Sequence, residues 1–323
     1  MPDCSIVIRA YNEEQHIARL LDGILQQNVR DVQIILVDSG STDATVSIAQ
    51  GYGAQVVHIQ PQEFTFGRSL NRGLAQARAE FVVIASAHVY PVYPDWLERL
   101  VEPFADPQVA LSYGKQRGTP TSKFSEHQVF RQWFPDRPRL QPTVPFCNNA
   151  NAAIRKSVWE QHAYDETLPA LEDLAWARWA QQQGYKIQYV PEAEIVHVHH
   201  ETWRGVSNRY RREAMAFKQI YPQETFHFAD FIRLFLSNAW ADLRVAARLG
   251  ALWQVGPGIL AFRLMQFWGT YQGYRRSGPL TWKLREAFYY PPDGNEEAFS
   301  SRPITPIQYN EAADKNYSSP DDR

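Results

Sequence analysis

The stretch YNEEQHIARLLDGILQQNVRDVQIILVDSGSTD, residues 11–43, decides how this chain reads. It follows a short apolar strand, Ser5 to Ala10. Ile17, Leu20, Leu21, Ile24 and Leu25 recur at the helical i, i+3, i+4, i+7 spacing. Asn12 followed three residues later by Gln15 has the form of a capping box. Val32 to Val37 is β-rich throughout except at Gln33, the pattern of a strand covered on both faces. Ser41 is placed to cap a helix from Thr42 to Gln50, which Gly51 and Gly53 end. Acidic residues therefore stand at the C-terminal edges of two strands, beside a glycine turn. That is where an open α/β sheet binds ligands and where a nucleotide's base and ribose find acceptors.

Outward from this stretch the alternation continues. Gln55 to Ile59 reads as a strand, Ser69 to Arg78 as a helix and Phe81 to Ala85 as a strand. The β-α-β-α-β-α-β order predicts an α/β fold, a mostly parallel sheet flanked by helices. Pro94 starts a helix running to about Phe104, and Val109 to Tyr113 is a further strand. The polar segment Lys115 to Gln141 carries Phe124, Phe130, Trp133 and Phe134, so it is expected to be a mobile loop or helix folding over ligand. Asn148 to Ile154 reads as a strand and Leu174 to Gln183 as a helix ended by Gly184. Tyr185 to Val190 and Glu194 to His199 read as the last two strands. Beyond residue 205 the chain becomes helical, first from Arg209 to Ile220 and then from Phe228 to Tyr274, with a break expected at Gly256-Pro257. The polar tail after Pro291 is expected to be disordered or laid loosely on the surface.

The elements Tyr11-Asn12-Glu13, Asp38-Ser39-Gly40-Ser41 and Asp43, in this order, resemble the start of the family 2 glycosyltransferases, inverting enzymes with the GT-A fold. The resemblance implies that Ala10, Tyr11 and Glu13 contact the nucleotide's base and ribose, and that Asp38, with Ser39, holds the base. Read without it, Glu13 is a first-turn acid favoured by the helix dipole. In Gly67-Arg68-Ser69-Leu70-Asn71-Arg72-Gly73 the family's arginine before the asparagine is Leu70. Arg68 or Arg72 could supply that charge to the diphosphate, Arg72 by preference, since a guanidinium fork suits phosphate oxygens. Otherwise both are exposed helix arginines.

The largest departure follows the strand Phe81 to Ala85. Where the family has Asp-x-Asp to hold a divalent metal, this chain has Ser86-Ala87-His88. Ser86 is then expected to meet the ribose. His88 is expected to take the metal, Mn or Mg in the family, although imidazole suits Mn or Zn better. Without a metal, His88 could offset phosphate charge directly. Glu172-Asp173 matches the family's Glu-Asp pair, which makes Asp173 the catalytic base and Glu172 its positioning neighbour. The plainer reading is an acidic helix N-terminus. In His197-Val198-His199-His200 alternation puts His197 and His199 on one face, and the resemblance favours His197 as a second metal contact. A structural zinc site is not indicated, because Cys4 and Cys147 have no ligand spacing to these histidines.

The reading is a GT-A catalytic domain over 1–205, a helical extension over 206–290 and a tail over 291–323. It would move a sugar from a nucleotide diphosphate sugar to a hydroxyl on a glycan or lipid-linked acceptor, in surface polysaccharide or glycolipid synthesis. The segment Phe64 to Trp96 resembles the rhamnosyltransferase-type members. One rival is a non-catalytic nucleotide-sugar-binding partner subunit, which would have no need of Glu172-Asp173. Another is a nucleotidyltransferase, which would open on a Gly-rich basic loop.

A formal net charge of -2 over 323 residues predicts no nucleic-acid partner. Two cysteines make no disulfide framework and read as reduced thiols of a cytoplasmic protein. Met1-Pro2-Asp3-Cys4 runs straight into a strand, which predicts no signal peptide, and Asn316-Tyr317-Ser318 then reads as a chance sequon. Gly256-Pro257-Gly258-Ile259-Leu260-Ala261 matches a dinucleotide fingerprint but follows no strand. The helices after residue 228 mix Phe, Leu and Trp with Arg. They could pack on the catalytic domain or a second subunit, or rest peripherally on the inner face of an anionic membrane.

Overall fold

A computed structural model describes residues 3–137, 139–140, 145–199, 201–275 and 304–309. The first half of the chain forms β1 (Cys4–Ala10), α1 (Ile17–Leu25), β2 (Val32–Asp38), α2 (Thr45–Gly51) and β3 (Gln55–His58). It continues through α3 (Phe66–Gln76), β4 (Phe81–Ser86), β5 (Val89–Pro91), α4 (Trp96–Val101) and β6 (Val109–Arg117). Then come α5 (Phe124–Trp133), β7 (Arg139–Leu140), β8 (Asn151–Arg155), α6 (Lys156–Trp159), α7 (Glu172–Gln182) and β9 (Lys186–His197). Three helices follow, α8 (Trp203–Ile220), α9 (Phe228–Arg248) and α10 (Leu252–Arg275).

The strands make one mixed sheet in the order β3-β2-β1-β4-β8-β6-β9-β5, with β7 pairing β9. β1, β2, β3 and β4 are parallel to one another, and β8 is antiparallel to both β4 and β6. The expectation of a mostly parallel sheet therefore holds for the first half. The second half is largely antiparallel, with β6–β9 its parallel pair. Apolar side chains from both faces of the strands form two separate clusters, one around Ile35, Leu111 and Trp176 and one around Ile8, Leu36 and Trp96. Both faces are covered, which explains the continuous apolar runs of β2 and β4.

Several local expectations change. Asn12 does not cap α1: its backbone is left-handed (φ 52°), and its side chain accepts from Thr42 N–H instead. Ser41 does not cap α2, because its hydroxyl accepts from Asn12 N–H. Long-range pairing of two loops outcompetes local capping at both places. The last two strands are one, β9, carried across a register shift opposite Gly114 and Gln116. The helical region breaks at Gly250 (φ 71°), while Pro257 lies inside α10. Gly269 and Gly273 of α10 lie so close to the main-chain oxygens of Ser207 and Arg211 that a Cβ would clash. Those two glycines let α10 pack directly on the backbone of α8.

In the tail, residues 304–309 are not loose. Ile307 N–H donates to Val92 O, and Tyr309 hydroxyl donates to Pro91 O at 2.6 Å. Ile304 and Tyr309 pack on Tyr90, Val92 and Val196. His200, parts of the 115–141 segment, the rest of the tail and the sequon at 316–318 lie outside the described residues.

Candidate functional site

The site lies along the C-terminal ends of β1, β2 and β4. Ala10 and Asp38 stand opposite one another in the β1–β2 register, and Ser39 N–H and hydroxyl both donate to Ala10 O at 3.1 Å. Asp38 is buried. Its carboxylate accepts from Gly40 and Ser41 N–H and meets His58 Nδ1 at 3.2 Å. Gly40 (φ 95°) lets this tight turn form. The loop after β1 is laced to it: Glu13 N–H donates to Thr45 Oγ1, Glu14 N–H to Asp43, and Ala44 N–H to Glu14. Tyr11 and Glu13 are thereby held at the rim on a cross-linked loop pair.

Glu13 reaches further inward. Its Oε1 lies 2.6 Å from His88 Nδ1. Burial depresses the imidazole's proton affinity, but the Glu13 carboxylate more than offsets this, and His88 ends above the ordinary histidine value. His88, His197 and His199 bring ring nitrogens within 4.8 Å of one another. His197 Nδ1 faces Gln116 Oε1 and His199 Nδ1 faces Glu126 Oε1, both at 2.8 Å. The Nε2 atoms of His197 and His199 meet at 3.1 Å, a hydrogen bond when His199 Nε2 carries a proton and a pair of free nitrogen ligands when neither does. Acceptors on Nδ1, as Gln116 and Glu126 provide here, are what orient metal-binding histidines. Burial, reinforced by the neighbouring His199, His88 and Arg209, holds His197 well below the ordinary value and so neutral. The three imidazoles fit a divalent cation that takes nitrogen ligands.

Around the histidines stands a wall built partly from the 115–141 segment expected to cover ligand, whose charged members the sequence did not single out. α5 presents buried Glu126, and Phe130 stacks on His199 with centroids 5.7 Å apart. Arg209 of α8 donates to Glu126 at 2.6 Å and also pairs with Glu201. Burial favours the neutral carboxyl, but His199 and Arg209 bring Glu126 down to about 2. The division expected at residue 205 falls inside α8, whose Arg209 belongs to this wall.

The second pole is at the start of α7. Leu171 enters the helix in a left-handed conformation (φ 57°) and with Asn12 makes up the non-glycine positive-φ residues described. Such strain is characteristic of functional sites. Asp173 accepts from Asn149 N–H (3.1 Å) and from Leu174 N–H (2.7 Å), while Glu172 accepts from the Asn149 side chain at 3.3 Å. Burial, and then the neighbouring Glu172, push Asp173 up to about 7 despite those N–H donors. Cys147 and Tyr164 are buried nearby, each raised well above its usual value by burial first.

Arg9 joins the poles. It lies 3.6 Å from Glu172, sits over the Phe66 ring, and its charge acts on both His88 and Asp173. Its Nε and Nη1 are buried without a hydrogen-bond partner. The signal in the sequence was a lone arginine one residue before the end of an apolar strand. Arg72, by contrast, pairs with Glu63 at 2.9 Å, and Arg68 with Glu166 at 2.6 Å. No described contact ties either arginine to the histidines. Ser86 closes β4 opposite Arg9.

Comparisons with known proteins bear on the family and the fold. The family described as Glycosyl transferase family 2 matches residues 5–162. The O-antigen chain rhamnosyltransferase WbaN of Salmonella anatum is 29% identical over 230 residues, 65% of this chain and 70% of that protein. RfbN of Salmonella typhimurium, also an O-antigen chain rhamnosyltransferase, is 28% identical over 219 residues, 64% and 69% of the two chains. Among solved structures, a mannosyltransferase from Pyrobaculum calidifontis in complex with GDP-Man and Mn2+ superimposes with a TM-score of 0.56. It is 22% identical, over 84% of each chain, and shares the fold. S. aureus TarS 1–349 follows with a TM-score of 0.53 at 16% identity, over 85% of this chain and 91% of that one. Residues 5–162, just under half of the chain, match glycosyl transferase family 2, and the sheet that carries them has the GT-A fold of the glycosyltransferase structures it resembles.

Proposed function

We propose that the protein is an inverting glycosyltransferase that moves a sugar from a nucleoside diphosphate sugar to a hydroxyl of a glycan or lipid-linked acceptor in surface polysaccharide synthesis. The observation that carries this reading is the buried Asp173, raised to about 7 and set beside Arg9. Such a group is poised to exchange a proton near neutral pH. In the reaction, an Asp173 carboxylate oxygen takes the proton of the acceptor hydroxyl. The acceptor oxygen bonds to the anomeric carbon from the face opposite the leaving diphosphate. The carbon–oxygen bond to the diphosphate breaks, and the nucleoside diphosphate leaves with the electron pair.

Asp38, Ser39, Ala10, Tyr11 and Glu13 hold the nucleoside in this reading, and Ser86 meets the ribose. Arg9 takes the diphosphate role that Leu70 cannot, because a buried guanidinium with unpartnered N–H groups matches a phosphate oxygen. His88 and His197, with His199 added, would hold a divalent cation. Bound there, such an ion supplies charge neutralisation for the departing diphosphate. Glu126 and Gln116 keep the ring nitrogens aimed. The catalytic unit on this reading extends through α8, with α9 and α10 as the helical extension.

The test is a calorimetric titration of UDP, GDP and dTDP into the full chain, each with Mn2+ and with EDTA. One nucleotide is expected to bind, more tightly with Mn2+. If none binds under either condition, the donor reading is wrong; binding of equal strength in EDTA would remove the cation from it.

A further inference from the structure

Twelve large apolar side chains are exposed among the described residues, and nine of them lie between Phe228 and Trp268. On α9, Ile232, Leu236 and Trp240 stand one turn apart, and Leu260 and Leu264 repeat that spacing on α10. At the tip between the helices Trp253 is 92% exposed. Apart from Phe228 and Trp268, whose rings pack on Phe231 and Tyr271, these are not the residues that hold the helices in place. The inward contacts come from Phe231, Ala239 and Ala246 of α9 and from Ile259 and Phe262 of α10, with Asp242 and Arg263 in a buried ion pair at 2.8 Å.

Beyond Asp230, at the start of α9, the exposed charges along the patch are arginines. Successive helical residues turn by about 100°, so Arg233, Arg244 and Arg248 line up along one edge of the α9 stripe. Arg233 pairs with Asp230, whereas Arg244 and Arg248 are exposed and in no described ion pair. From Leu243 to Arg275 the chain contains no Asp or Glu, although its formal net charge is -2. An apolar stripe carrying tryptophan at its tip and arginine along its edge matches the boundary between acyl chains and anionic head groups. A second copy is the poorer occupant. Packing this face on itself would bring Arg244 and Arg248 together with only Asp230, already paired with Arg233, to answer them.

We propose that the α9–α10 hairpin docks the protein on an anionic lipid bilayer surface, with Trp240 and Trp253 entering the interface and Arg244 and Arg248 on the head groups. Among the described residues no helix is long and apolar enough to cross a membrane, and the contact proposed is peripheral. It depends on neither Asp173 nor the histidines, so it stands or falls separately from the glycosyl-transfer reading.

The experiment is co-sedimentation of the full chain with vesicles of phosphatidylcholine alone and with about one third phosphatidylglycerol, at low and high salt. Binding is expected only to the anionic vesicles and is expected to weaken with salt. Each of Arg244→Ala and Arg248→Ala should lower the partition coefficient roughly fivefold. Trp240→Ser with Trp253→Ser should lower it further still, with circular dichroism and nucleotide binding unchanged. No binding to anionic vesicles would overturn the proposal, as would binding that ignores both pairs of substitutions. So would a concentration-dependent dimer that the tryptophan variants abolish while vesicle binding is absent.

Discussion

Asp173 and His88 lie at the two poles of one site, Asp173 buried and His88 half-buried, each beside a charged neighbour, yet they end in opposite conditions. Burial raises Asp173, and its neighbour Glu172 has the same charge, so the two effects add and the carboxyl reaches about 7. Burial lowers His88, but its neighbour Glu13 has the opposite charge and wins. The contrast teaches that burial only sets the starting point. The sign of the nearest partner decides whether a group is left ready to exchange a proton or is tied into a fixed network. The Asp173 pole is of the first kind. The Glu13–His88 and Glu126–His199–Arg209 pole is of the second.

The sharpest way to break this comparison is Asp173→Asn. On the proposed reading kcat falls about 10³-fold or more, while nucleotide affinity measured by calorimetry stays within a factor of two or three. Loss of nucleotide binding instead would make Asp173 part of the donor pocket. Next in size is Glu126→Ala, which removes the carboxylate shared by His199 and Arg209. With Glu201 still pairing Arg209, unfolding stability should drop by about 3 kcal/mol in a urea titration. Conservative Glu126→Gln should recover part of this.

Gln116→Leu deletes the acceptor that aims His197. It is expected to weaken Mn2+-dependent nucleotide binding about 10-fold while leaving metal-free binding unchanged. An equal loss with and without Mn2+ would mean that Gln116 is only a packing residue. The smallest effect concerns pH. Asp173 acts as its ionised form, so kcat/KM should rise with pH through about 7 and level off above it. Glu172→Gln removes the like charge that raises Asp173, so the rising limb should move to lower pH. A limb that stays in place would assign the shift to burial alone.

Much of this was legible in the sequence. Glu13, Asp38 and Glu172-Asp173 showed themselves because each sits at a strand or helix end flagged by a turn residue, and local chemistry marks such ends. His199 was recognised as sharing a face with His197, but only packing showed that the rings of both meet His88, at centroid distances of 5.1 Å for His197 and 6.3 Å for His199. Glu126 and Arg209 were not legible. An acid in a polar helix and an arginine among several carry no local signal, and 83 residues separate them. The capping roles expected of Asn12 and Ser41 failed for the same reason, since each found a better partner about thirty residues away.

By itself the sequence determined the α/β class, the order of the elements and the identity of the acidic strand-end residues. Periodicity, turn chemistry and helix starts are properties of neighbours along the chain. The tertiary structure decided the antiparallel second half of the sheet, the return of residues 304–309 to β5, and which buried charges meet. Burial and the sign of a partner across the fold set the protonation of Asp173 and His88, and neither exists until the chain has closed on itself.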